Sequence, residues 1–289
     1  MKELFLRWIA CAAMAFCNLC VTAEEPSPPV TIPITFNHQR IMVPATINGS
    51  KPHLFLLDNG CTIPTLNPAL VEELRLERAG SIRMIGIAGE ERTPTYRGAV
   101  YNLGSATYAP RRVAALRGRR RDGVIDAGLF QRFVVEISPK QKVIRLHQPA
   151  TFHYTGSGKT VPLRFRDETA IIAATLVLGD GSAVTEQFEV DTGCDSGLCL
   201  GSAFVTRHHL ADADGAGSQK FGIGGSVETK SGTVPLLRLG EVELRQPQTD
   251  FFLQGSPVDE PMAGHIGMGV LHRFTVIFDY SRSVMIIEE

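Results

Sequence analysis

The chain begins with a pattern unlike the rest of it. Trp8 to Val21 is an apolar run broken only by Asn18, preceded by Lys2 and Arg7 and followed by the small residues Val21-Thr22-Ala23 and the polar Glu24-Glu25-Pro26-Ser27-Pro28-Pro29. A basic head, a short apolar middle and a small-residue cleavage site predict a secretory signal peptide over residues 1–23, cut after Ala23. A retained membrane anchor is the alternative; the apolar run is short for a span, which needs about 20 residues. No other segment is long and apolar enough to cross a bilayer. From residue 30 onward the pattern is that of strands. Val30–Phe36, Val134–Ile137, Ile171–Leu178 and Thr275–Phe278 are rich in β-branched and aromatic residues, which fit a pleated, half-buried surface. Asn48-Gly49, Gly179-Asp180-Gly181 and Gly224-Gly225 supply the turns between such strands. Only Pro68–Leu76 reads as an amphipathic helix, with Leu70, Val71 and Leu74 on one face. Leu129–Phe133 and Val270–Arg273 are each predicted to make a helical turn.

The strand segments recur in the same order. His53-Leu-Phe-Leu-Leu-Asp58-Asn59-Gly60-Cys61 is followed much later by Glu186-Gln-Phe-Glu-Val-Asp191-Thr192-Gly193-Cys194. Ile85-Gly86-Ile87-Ala88-Gly89 is matched by Phe221-Gly222-Ile223-Gly224-Gly225, and Val124–Phe133 by His265–Phe274. The spacing between partners drifts by only a few residues, as small loop insertions would make it. Three collinear pairs indicate an internal duplication. The predicted organisation is a signal peptide (1–23), an N-terminal lobe (24–148), a linker (149–157) and a C-terminal lobe (158–289), all-β with short helices.

Composition narrows the function. With 289 residues, 44% of them hydrophobic, the chain is too apolar for intrinsic disorder. A net charge of -1 argues against nucleic-acid binding as the main task. Of the six cysteines, Cys11, Cys17 and Cys20 leave with the signal peptide. Cys61, Cys194 and Cys199 allow at most one intramolecular disulfide, so the core must come from burial.

The repeated Asp carries the chemistry. Gly two residues after Asp permits a tight turn that aims the carboxylate into a cleft. A single Asp-x-Gly is ordinarily a turn in which the carboxylate takes backbone N–H bonds. Two copies at matching places in two lobes packed about a pseudo-two-fold axis would meet at that axis. There they cannot both ionise and must share a proton, so that one serves as base toward water and the other as acid toward a substrate carbonyl.

These segments resemble the retropepsin-like aspartic proteases. Asp191-Thr192-Gly193 matches that family's active-site motif. Gly123-Val124-Ile125 with Leu129-Phe130, and Ile266–Phe274, are similar to its apolar-Gly strand and short helix, and Phe274–Arg282 looks like the closing strand and turn of its bacterial, two-lobed, single-chain members. The resemblance implies two β-barrel lobes related by a pseudo-two-fold axis, and an endopeptidase without metal or organic cofactor. By position, Asp58 and Asp191 would be the catalytic pair, supported by Asn59, Gly60, Thr192 and Gly193. Gly86, Ile87 and Gly89, with Gly222, Ile223 and Gly224, would belong to flap hairpins closing over an extended peptide with apolar side chains near the scissile bond. The expected partner is a peptide or protein substrate, not nucleic acid or, once the signal is removed, a membrane. The expected state is a secreted or periplasmic monomer whose two lobes pair within one chain.

Two residues depart from the pattern. Asn59 stands where Thr or Ser is usual, and Asp126 replaces the first lobe's Gly, which Gly267 keeps in the second. A buried Asp126 would be costly unless hydrogen-bonded or protonated. These departures motivate the alternative reading of a catalytically weak or inactive peptide-binding module. Cys61 and Cys194 follow the active-site glycines and read as space-filling or cleft-lining thiols, and Cys194 and Cys199 as a possible pair. Arg111, Arg112, Arg117, Arg119, Arg120 and Arg121 read as a solvated loop, and His208-His209 with Asp212 and Asp214 as a surface loop, their spacing matching no strong metal motif.

Overall fold

The computed structural model describes residues 28–117, 122–210, 216–255 and 262–289. The proposed signal peptide, Arg119–Arg121, Asp212 and Asp214 lie outside them. The fold is all-β with four short helices among the described residues, arranged as two lobes.

Three sheets build it. One ten-stranded sheet is made from the first half of the chain and a second from the latter half, while a six-stranded sheet joins them. Its order is Val30–Pro33, Val143–His147, Val134–Ser138, Thr275–Asp279, Val284–Glu288 and Lys159–Pro162. At its centre the two halves meet antiparallel, with Val135 opposite Phe278 and Ile137 opposite Val276. The Phe130 ring stands edge-on to Phe278, centroids 5.4 Å apart, and Tyr280 lies 5.7 Å from Phe130. These rings belong to one contiguous apolar core that runs through both lobes.

Each lobe repeats one crossing pattern. In the first, His53–Leu57 runs parallel to Gly123–Ile125, which pairs antiparallel with Thr65–Leu66. In the second, Ala183–Asp191 runs parallel to Gly264–Gly267, which pairs antiparallel with Leu198–Leu200. Gly123 and Gly264 hold equivalent places, and each lies so near the crossing strand that a Cβ would overlap a backbone carbonyl, of Thr65 in one lobe and Cys199 in the other. Only glycine admits that approach.

The helices match the expected segments with shifted ends. Pro68–Glu73 starts on Asn67, whose side chain accepts the Ala69 N–H, and buries Leu70 and Val71. It stops before Leu76 because Arg75 takes a left-handed conformation (φ 50°), the usual helix-ending geometry but without the usual glycine. The two expected helical turns are Ala127–Arg132 and Met268–Leu271. The helix Ser202–Arg207, which buries Phe204 and Val205, carries no periodic signal long enough to be read. Asn48 and Gly49 both take positive φ (49° and 76°), as a two-residue hairpin turn requires.

Candidate active site

Asp58 directly follows the strand His53–Leu57, and Asp191 is the last residue of Ala183–Asp191, each strand being buried in the residues just before its aspartate. In both turns the glycine N–H two residues on bonds back to the carboxylate: Gly60 N to Asp58 Oδ1 at 3.1 Å, Gly193 N to Asp191 Oδ1 at 2.7 Å. The turns also pack crosswise. A Cβ on Gly193 would strike the Asp58 carboxyl, and one on Gly60 would lie 3.0 Å from Asp191 Oδ1. Each carboxyl thus sits against the glycine of the opposite turn, which brings the two together at the lobe boundary. Burial raises the Asp191 carboxyl above the ordinary carboxylate range, against the opposing effect of bonds from Gly193, Cys194 and Asp58 and of the Arg40 charge.

Beneath the pair, Asn59 and Thr192 are fully buried and lace the lobes together. Asn59 N–H donates to Thr192 Oγ1 (3.1 Å), and Thr192 N–H to Asn59 Oδ1 (2.8 Å). The Thr192 hydroxyl donates onward to the Leu57 carbonyl at 3.1 Å, while the Asn59 amide donates to Tyr280 Oη at 3.1 Å. Asn59 thus supplies the acceptor a hydroxyl would supply and uses its second polar atom on Tyr280. Arg40 adds a second tie from the first lobe, donating to the Gly193 carbonyl (3.2 Å) and to Asp195 (3.1 Å).

The two glycine-rich hairpins meet at their tips. Glu77–Gly86 with Gly89–Arg97 forms one, Ala216–Gly222 with Gly225–Thr233 the other. Ala88 N–H donates to the Ile223 carbonyl at 3.1 Å. Gly86 faces Ile223, Gly222 faces Ile87, and Gly224, at φ +89°, lies against Gly89, leaving no room for a Cβ at Gly86 or Gly224. Ile87 and Ala88, like Cys194, pack against the buried Cys199, Val227 and Phe252 of the second lobe.

Asp126 is 3% exposed and accepts a 2.6 Å hydrogen bond from Tyr108 Oη. Burial still pushes its carboxyl up to about 6. It opens on a cavity of about 840 Å³ lined also by Pro64, Tyr108, Arg111, Arg132 and Glu168. Cys61, Cys194 and Cys199 are free thiols, with Cys194 and Cys199 sulfurs 3.9 Å apart. Desolvation, with Asp58 adding to it, drives the Cys61 thiol well above its ordinary range.

Glu189, His265, Arg40 and Tyr280 had no assigned role from sequence. Glu189 is two residues before Asp191 and therefore on the same strand face. Its Oε1 would lie 2.7 Å from a Cβ on Gly60, and its Oε2 is 3.4 Å from His265 Nε2. Burial first, then the neighbouring Asp191, Asp58 and Cys194, raise its carboxyl well above the ordinary range. Among the described residues no cluster of three or more His, Cys, Asp or Glu has the geometry to hold a metal ion.

Comparison with known proteins bears on the family and the fold. Residues 43–127 match the aspartyl protease family model. The whole fold is similar to the crystal structure of the aspartic proteinase from Irpex lacteus, with a TM-score of 0.59 over 90% of this chain and 97% of that one, at 12% identity. Comparison with curated protein sequences returns no match. The resemblance read from the sequence holds in both matches: the fold is that of aspartic proteinases, and the family match in the first lobe supports a peptidase, a hydrolase of peptide bonds.

Proposed function

We propose that this protein is an exported aspartic endopeptidase that hydrolyses peptide bonds with water activated between Asp58 and Asp191. The observation that carries this reading is the crosswise packing of the two Asp-x-Gly turns, each carboxyl oriented by the glycine N–H of its own turn and set against the glycine of the other. Two adjacent carboxyls hold one proton between them. The proton belongs to the pair, and burial, which raises the Asp191 carboxyl, helps the site retain it. The ionised member takes a proton from the attacking water while the protonated member donates its own to the carbonyl oxygen, giving a tetrahedral diol. The carboxyl that took water's proton passes it to the amide nitrogen, the C–N bond breaks, and the other carboxylate takes a hydroxyl proton from the collapsing diol, so the pair again holds one proton.

The meeting hairpin tips supply a cover that must open to admit an extended chain and close to exclude water. The binding-module alternative rested on Asn59 and Asp126. Asn59 keeps the cross-lobe bonding, and the Asp126 carboxyl is engaged by Tyr108, so both departures are accommodated without displacing the pair. The test is Asp191→Asn and Asp58→Asn in the purified residues 24–289. Both should abolish peptide cleavage and its inhibition by statine-type peptides while the fold persists; retained, inhibitor-sensitive cleavage overturns the mechanism.

A further inference from the structure

The two lobes present different chemistry on the face that carries the aspartates. Neighbours directly across a sheet share a face, so each lobe can be followed as one row of residues. In the first lobe the row through the position two before Asp58 is Met42, Leu56, Val124, Thr65 and Ala114. In the second, the row two before Asp191 is Ile171, Glu189, His265, Cys199 and Asp250. Met42, Leu56 and Val124 form an apolar cluster separate from the main core, with Cys61 against it. Glu189 and His265 occupy the places of Leu56 and Val124.

The buried acids of the second row are not equally satisfied. Asp250 is 3% exposed, but Lys220 Nζ sits 2.7 Å from it and the Ser231 hydroxyl donates to it at 2.6 Å. Glu189 has its His265 contact at 3.4 Å and lies beside the Asp58 and Asp191 carboxyls. A cation entering there would be attracted by a group of carboxyls too crowded to ionise together.

We infer that Glu189 is a specificity-determining residue, making the second-lobe side of the cleft a receptor for a lysine or arginine side chain next to the scissile bond, while Met42, Leu56 and Val124 make the first-lobe side select an apolar one. This rests on the proposed Asp58/Asp191 reading and replaces, on one side, the expectation of apolar side chains near the scissile bond. A neutral side chain of the same length leaves the Glu189 carboxyl without the polar partner that a lysine supplies.

Four statine peptides, carrying lysine or norleucine at each position flanking the statine, test it by calorimetric binding to the wild type, Glu189→Gln and Glu189→Leu. A peptide-library digest reads the same positions in cleaved bonds. One flanking position should favour lysine by about tenfold or more, the scale of a close charge pair at a binding site. Both variants should lose that preference and keep the apolar preference at the other position, with circular dichroism unchanged. Glu189→Gln, nearly the same shape, keeps the test valid if Glu189→Leu does not fold. Equal binding of lysine and norleucine by the wild type, or an undiminished lysine preference in Glu189→Gln, overturns the inference while leaving the dyad intact. Cleavage indifferent to Asp58→Asn and Asp191→Asn would instead overturn the dyad reading and this one with it.

Discussion

Asn59 and Thr192 exchange hydrogen bonds reciprocally, each side chain accepting the other's backbone N–H across the lobe boundary. Both are fully buried, so neither N–H can turn to water. Thr192→Val removes the acceptor for Asn59 N–H and the donor to Leu57. Each buried group so orphaned costs about 1–3 kcal/mol. Urea unfolding should register that loss, and Thr192→Ser should recover most of it. Equal stability of the Val and Ser variants would refute the role given to the hydroxyl.

Asp126 makes the stability depend on pH. Its ordinary value is 3.8, and burial lifts it to about 6 in the folded protein. Below the unfolded value both states are protonated and nothing is lost. As pH rises from about 4 through about 6, the folded state holds the proton longer, so this contribution to stability declines, by roughly 3 kcal/mol at most for a shift of this size. Asp126→Asn keeps an acceptor for Tyr108 and has no charge to desolvate. Its melting temperature should gain on the wild type between pH 5 and pH 7.5; parallel curves would contradict the assignment.

Arg40 lowers the Asp191 carboxyl and holds its turn through Gly193 and Asp195. Removing the cation lets Asp191 keep its proton to higher pH. Arg40→Met should therefore move the alkaline limb of kcat upward, by about half a pH unit for a partly exposed charge. An unmoved or downward-shifted limb would contradict the coupling between Arg40 and the pair.

The hairpin tips make the fourth prediction. Gly224 is left-handed and lies against Gly89. Alanine there pays about 1–2 kcal/mol for the conformation and also collides with the opposite tip. Gly224→Ala should lower kcat/KM about tenfold or more, with the urea midpoint lowered only as far as that conformational cost accounts for. Unchanged kinetics would mean that the tips need not meet during turnover.

Much of this was legible because the repeated signals are local. Asp58-x-Gly60, Asp191-x-Gly193 and the paired glycine tips each occupy a few consecutive residues, and a tight turn dictates its residue types. Asp126 was legible as a problem, and Tyr108 is its solution from a distant strand. Glu189 was hidden by regularity. In Glu186-Gln-Phe-Glu-Val-Asp191 it alternates with apolar neighbours as any half-exposed strand residue does, and only the ladder to His265 reveals where it points. Arg40 and Tyr280 act across 153 and 221 residues of chain, a separation at which one sequence carries no pairing signal. The helix end at Arg75 escaped because the left-handed residue there is not glycine.

The six-stranded sheet also fixes how the protein behaves at low concentration. Val135 and Phe278 face each other within one molecule, so the encounter that would bring two separate half-sites together is replaced by folding itself. Diluting the protein a thousandfold leaves the proposed pair assembled, and the rate per molecule should stay constant where a two-chain site would fall apart.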